Sequence, residues 1–125
     1  MNETVDVSIG EYFDKMTILE IKRERIHHAE KLININKELD ALNGLLEMLP
    51  FSRDDVAEEV SELKAINEKL WVVEDDIRDK EAAKTFDQDF IELARSVYIT
   101  NDRRSDVKRK INIKLGSSFI EEKSY

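Results

Sequence analysis

The chain has 125 residues, with 20 Lys and Arg against 28 Asp and Glu for a net charge of −8, three glycines, one proline and no cysteine. Without cysteine, disulfide scaffolds, thiol nucleophiles and Cys-based zinc or iron–sulfur sites are excluded. No apolar run approaches the roughly 18 residues of a membrane span, and Met1 to Thr4 lack the basic and apolar regions of a signal peptide. The expectation is one soluble, cytoplasmic, all-α domain over residues 1–125, built from long helices.

Thr4 to Val7 alternates and carries β-branched residues, which predicts a short extended arm. Ser8 with Glu11 three residues on forms a capping box and starts a helix. Apolar residues then fall at Ile9, Tyr12, Met16, Leu19, Ile26, Leu32, Leu39, Leu42, Leu46 and Leu49, in steps of three, four or their sums. The phase slips by about one residue between Ala29 and Ile35, and Asn34, Asn36 and Asn43-Gly44 are weak helix points. Pro50 ends this helix, predicted over residues 8–49.

Ser52 with Asp55 caps a second helix over 52–84, with Val56, Val60, Leu63, Ile66, Leu70, Val73 and Ile77 inward. A turn at Thr85 to Asp87 leads to a third over 87–115, with Phe90, Leu93, Ala94, Val97, Ile111 and Leu115 inward and Gly116 as its C′ residue. The tail Ser117 to Tyr125 is short enough to pair with the arm or dock on the bundle.

An unbroken first helix of 42 residues would span roughly 63 Å, whereas a compact domain of this size has a radius of gyration of about 14 Å. Either the helix bends near residues 34–44, most readily at Gly44, or the protein is a rod. The predicted architecture is an elongated, antiparallel three-helix bundle. Its uncovered seam calls for a second copy, so a homo-oligomer is expected, with a dimer first.

Each chemical motif has a plainer alternative. Glu58-Glu59-x-x-Glu62 followed by Asp76-x-x-Asp79 resembles the magnesium signature of all-α nucleotide pyrophosphohydrolases. Nothing breaks the helix between Glu62 and Asp76, however, so about 21 Å separates two acidic groups that would have to share a metal. A solvated acidic face is the better reading, and no metal or other cofactor is expected. His27 and His28 are adjacent and point about 100° apart on a helix, which suits no shared metal. Between Asp102 and Lys114 six basic residues outweigh two acidic ones, a local +4 that invites nucleic acid. Pairing with the second helix, whose span 52–84 holds eleven acidic against six basic residues, accounts for it better. Nucleic acid is therefore not the expected partner.

Polar residues on the expected inner seam are the most informative feature. Asn101, Arg104 and Lys108 occupy positions where the third helix should be apolar. In an antiparallel register Arg104 falls level with Asn67 and with Asn34 and Asn36, while Glu74, Arg78, Arg95 and Tyr98 share a second layer with Arg25 and His27. Buried charge must be paired or line a wet cavity. One reading is a salt-bridge network that sets the register. The other is an inter-helix cavity in which Arg78, Arg95 and Arg104 hold a phosphate or carboxylate, Asn67 and Asn101 orient it, and Glu74 serves as acid or base.

Residues 8–22 (SIGEYFDKMTILEIK) resemble the opening of a family of small helical bacterial and bacteriophage proteins with no assigned activity. Residues 67–81, 90–104 and 116–125 are similar to its other recurring blocks. That resemblance implies no catalytic residue and no cofactor. It implies a place beside surface-polysaccharide genes in bacteria, and the host cytoplasm for a phage-encoded member. The expected role is a non-enzymatic, self-associating interaction or regulatory module that binds a protein partner. The alternative is binding or catalysis on a small anionic ligand, a nucleotide-sugar or phosphate compound, in the polar cavity.

Overall fold

The computed structural model describes residues 8–116, and these are helical throughout apart from short connections, with no strand among them. The predicted arm at 4–7 and the tail at 117–125 lie outside the described residues. Four helices follow one another: α1 (Ile9–Arg25), α2 (Ala29–Glu47), α3 (Ala57–Ala82) and α4 (Gln88–Lys114), with a 3-10 turn (Arg53–Val56) ahead of α3.

The first predicted helix is therefore two, and the break falls at Ile26–His28 instead of near residues 34–44. Ile26 and His28 are extended, with ψ of 132° and 118°. The cause lies in the apolar pattern. Ile26 belongs with Leu19, Ile35, Leu39 and Leu42 in one cluster, which a straight helix could not gather on one side. Folding α2 back onto α1 buries that cluster, at about 1.5–3 kcal/mol per fully buried aliphatic side chain. Gly44 lies inside an unbroken α2 with open space beside it. An exposed Asn or Gly in a helix costs only about 1 kcal/mol or less, which is too little to break α2 there.

The extra reversal changes the packing order. α1 contacts α2, α3 and α4, and is buried on most of its circumference at Gly10, Phe13, Asp14, Met16, Thr17, Leu19 and Ile21. It runs antiparallel to α4: Gly10 lies against Lys108 and Asn112, and Asp14 against Arg104. The main core joins Phe13 and Met16 of α1 to Val56, Val60, Leu63, Ile66 and Leu70 and to Val107 and Ile111 of α4. Tyr12 ties α2 in by donating its hydroxyl proton to the Leu42 carbonyl.

Caps fix the ends. Ser8 accepts from the Glu11 amide and Asp87 from the Phe90 amide, at 3.2 and 3.0 Å. The capping box at Ser52–Asp55 forms as expected but opens the 3-10 turn, and α3 proper starts at Ala57. Gly10 allows α1 to approach α4: a Cβ there would stand 2.3 Å from the Lys108 carbonyl oxygen. Gly116, at φ 64°, closes α4 as the predicted C′ residue.

Candidate functional site

Asp14 is the centre of the buried polar chemistry. It lies on the buried face of α1, 1% exposed, one turn beyond Gly10 and one before Thr17. Arg104 of α4 grips its carboxylate with two nitrogens, Nε donating to Oδ1 at 2.9 Å and Nη2 donating to Oδ2. Asn67 of α3 donates from Nδ2 to Asp14 Oδ1 and to Thr17 Oγ1, both at 2.9 Å, and Thr17 donates to the Asp14 carbonyl at 2.8 Å. Three helices thus meet on one carboxylate. A bidentate, charge-assisted pair of this kind repays the desolvation that a lone buried charge would not.

A cavity of about 260 Å³ opens beside this network, between the C-terminal half of α1 and the middles of α3 and α4. Asn67, Glu74, Asn101 and Arg104 line it, together with Lys22 and Trp71. Asn101 accepts from Arg104 Nη1 at 3.4 Å, and the Arg25 guanidinium sits 6.0 Å from the centre of the Trp71 ring. Four of the six residues singled out from sequence therefore share one cavity. The other two stand apart: Arg78 is exposed and pairs with Glu74 and Asp75 on its own helix, and Arg95 is exposed on α4. The Asn34/Asn36 level expected opposite Arg104 is replaced by Asp14 and Thr17, because the reversal at Ile26–His28 carries α2 away from α4.

Around this centre the remaining charges pair across helices. Glu20 of α1 accepts from both terminal nitrogens of Arg53 at 2.6 and 3.1 Å, with Lys64 3.8 Å away. Burial pushes the Glu20 carboxyl up, but the Arg53 hydrogen bond and charge, aided by Lys64 and Arg23, outweigh it and hold the group below the usual range. Lys108 reaches Glu11 at 2.6 Å, Lys114 reaches Glu59 at 3.4 Å and Arg103 reaches Glu62 at 3.8 Å. The basic stretch of α4 is thus largely engaged by acidic residues of α1 and α3. α3 is continuous from Glu62 to Asp76, and no group of three His, Asp or Glu placed to hold a metal occurs among the described residues. His27 and His28 are exposed in the connection between α1 and α2.

No described helix is long and apolar enough to cross a membrane. The chain belongs to a family of unknown function, DUF6165, whose family model matches residues 3–125. No curated protein and no solved structure matches it.

Proposed function

We propose that the protein is a non-enzymatic, self-associating helical module that works as a dimer and presents its surface to a protein partner. The observation that supports this reading is the outward face of α4. Ile91, Tyr98 and Ile99 are 48, 70 and 53% exposed, spaced seven and one residues apart on one side of the helix. Arg95 lies between them on the same side, with Asp102 one turn further on. Two copies of α4 laid antiparallel about a two-fold axis between Tyr98 and Ile99 would set Tyr98 against Ile99. The same register sets Arg95 level with Asp102 on both sides. A self-complementary patch with an apolar centre and opposite charges flanking it fits an isologous dimer. Sedimentation equilibrium at micromolar concentration tests this: the wild type should sediment as a dimer and Tyr98→Asp as a folded monomer. A wild-type monomer would overturn the reading.

A second reading, recognition of a small ligand, draws on the cavity shared by Asn67, Glu74, Asn101 and Arg104. At about 260 Å³ it lies just below the ~300–1,000 Å³ of sites for drug-sized ligands. That volume suits a metabolite smaller than a nucleotide-sugar.

A further inference from the structure

Beside the outward face of α4 runs a flank with a direction to its charge. Glu92, Ser96, Ile99, Arg103 and Lys110 follow at steps of four, three, four and seven residues, which places them in one stripe along the helix. From its N-terminal end the stripe passes from acidic to apolar to basic. Ile99 at its centre is 53% exposed, and Glu92, Arg103 and Lys110 are exposed as well.

Next to the acidic end lies a groove of about 640 Å³ between the last turns of α3 and the first turns of α4. Asp76, Asp79, Asp89 and Glu92 line it together with Lys80. Lys80 is held by Asp87 at 3.0 Å, with Asp89 4.0 Å away. Among the described residues Asp76, Asp79 and Glu92 enter no ion pair, and neither does Lys110 at the basic end. Arg103 is 3.8 Å from Glu62, with both side chains substantially exposed.

The two-fold axis between Tyr98 and Ile99 keeps this flank on the same side in both copies and reverses its direction. The basic end of one stripe then lies along the acidic end of the other. The partner's Arg103 falls level with Ala94, two residues from Glu92, and the partner's Lys110 level with Asp87, two residues from Asp89. Those offsets are about 3 Å along the helix, within the sweep of an Arg or Lys side chain. Within one chain Glu92 and Arg103 stand eleven residues apart, roughly 16 Å, so they can meet only across a pair of chains. A net charge of −8 on each chain opposes association at long range. Contact between opposite ends offsets that repulsion locally, whereas a parallel pair would set the acidic tips together.

We infer that the acidic groove at the tip of the α3–α4 hairpin seats a second copy of this chain, with Glu92 and Asp89 on its rim receiving the partner's Arg103 and the partner's Lys110. Symmetry makes each contact twice. The inference rests on the α4 dimer proposed above and adds the charge contacts that orient it.

Sedimentation equilibrium on full-length charge variants tests it. Glu92→Lys and Arg103→Glu should each weaken the dimer about tenfold, since each sets like charges together at two places. Mixed in equal amounts, the two variants should form a heterodimer about as tight as the wild type, because both contacts are again between opposite charges. Glu30→Lys, exposed on α2, changes the net charge as Glu92→Lys does and should leave the dimer unaffected. All three positions are exposed, so the variants keep their fold, which far-UV circular dichroism verifies. A wild-type dimer that Glu92→Lys and Arg103→Glu leave as tight as Glu30→Lys does would overturn this inference and leave the α4 dimer standing. So would a mixture that stays as weak as its separate components. A wild-type monomer would overturn both.

Discussion

Arg104 reaches back across 90 positions of sequence to grip the carboxylate of Asp14 with two nitrogens. Removing one partner should expose what the pair offsets. Asp14→Ala removes the carboxylate that accepts from two Arg104 nitrogens and from one Asn67 amide proton, and should cost about 3–5 kcal/mol in urea unfolding. Replacing Asp14 and Arg104 together by Leu and Met should recover most of that loss, since an apolar pair of similar volume needs no desolvation. Glu20 gives a pH-dependent counterpart. Its pKa is lower in the folded chain than in the unfolded one, so the stability it contributes is complete above the ordinary carboxylate range. That contribution is lost as pH falls through the folded pKa. The stability gap between wild type and Glu20→Gln should accordingly be full at neutral pH and close in acid, as denaturant midpoints between pH 7 and pH 3 would measure. At this scale the sequence was half legible. Arg104 and Asn101 announce themselves as polar residues on an apolar stripe, and Asn67 by falling level with Arg104 in an antiparallel register. Asp14 does not, because α1 is enclosed on three sides and its buried face is wider than the stripe running through Ile9, Tyr12, Met16 and Leu19.

Helix ends divide into those written in local chemistry and those imposed by packing. Ser8, Ser52 and Asp87 are caps that any reading of side-chain oxygens would find, and Gly116 closes α4 because a positive φ suits it. The end of α3 is different. Lys84, at φ 54°, occupies the C′ position of a Schellman motif, with Thr85 N bonded to Lys80 O at 2.9 Å and Lys84 N to Glu81 O at 3.1 Å. A side chain with a Cβ pays about 1 kcal/mol for that conformation. Lys84→Gly should therefore raise stability by roughly 1 kcal/mol, readable as a higher thermal midpoint. The break between α1 and α2 has no Pro or Gly to mark it. Its only trace is the slip in apolar phase after Ile26, which records that residues before and after it face different neighbours. Read as a flaw in one helix, the slip misplaces the bend at Gly44. Read as a change of partner, it marks the reversal.

On the scale of the molecule, α1 is the post around which the other helices are arranged, and the α3–α4 hairpin extends past its last turn. Phe86, Ile91, Tyr98 and Ile99 along that hairpin are each about half exposed or more. If α4 pairs with a second α4, folding and association are linked. The thermal midpoint should then rise as protein concentration is raised from about 5 to 100 µM, and Tyr98→Asp should abolish that dependence. Scanning calorimetry at the two concentrations decides it. The all-helical class and the α3–α4 pairing follow from apolar period and charge, since the acidic helix and the basic helix do meet through Glu59–Lys114 and Glu62–Arg103. The cavity could not be read the same way. It exists because α1 ends at Arg25 and turns away, leaving the space between Lys22, Trp71 and Asn101 unfilled.

Trp71 also carries an optical consequence. It is the only tryptophan in the chain, it lines the cavity, and a guanidinium from the last turn of α1 lies over its ring. Emission excited at the red edge of the spectrum therefore comes from a single place. Circular dichroism averages every helical residue, whereas the colour and intensity of this one indole register whether the end of α1 is seated on α3. The molecule thus contains its own dye, positioned to distinguish release of α1 from global unfolding and to brighten or dim as the neighbouring space fills.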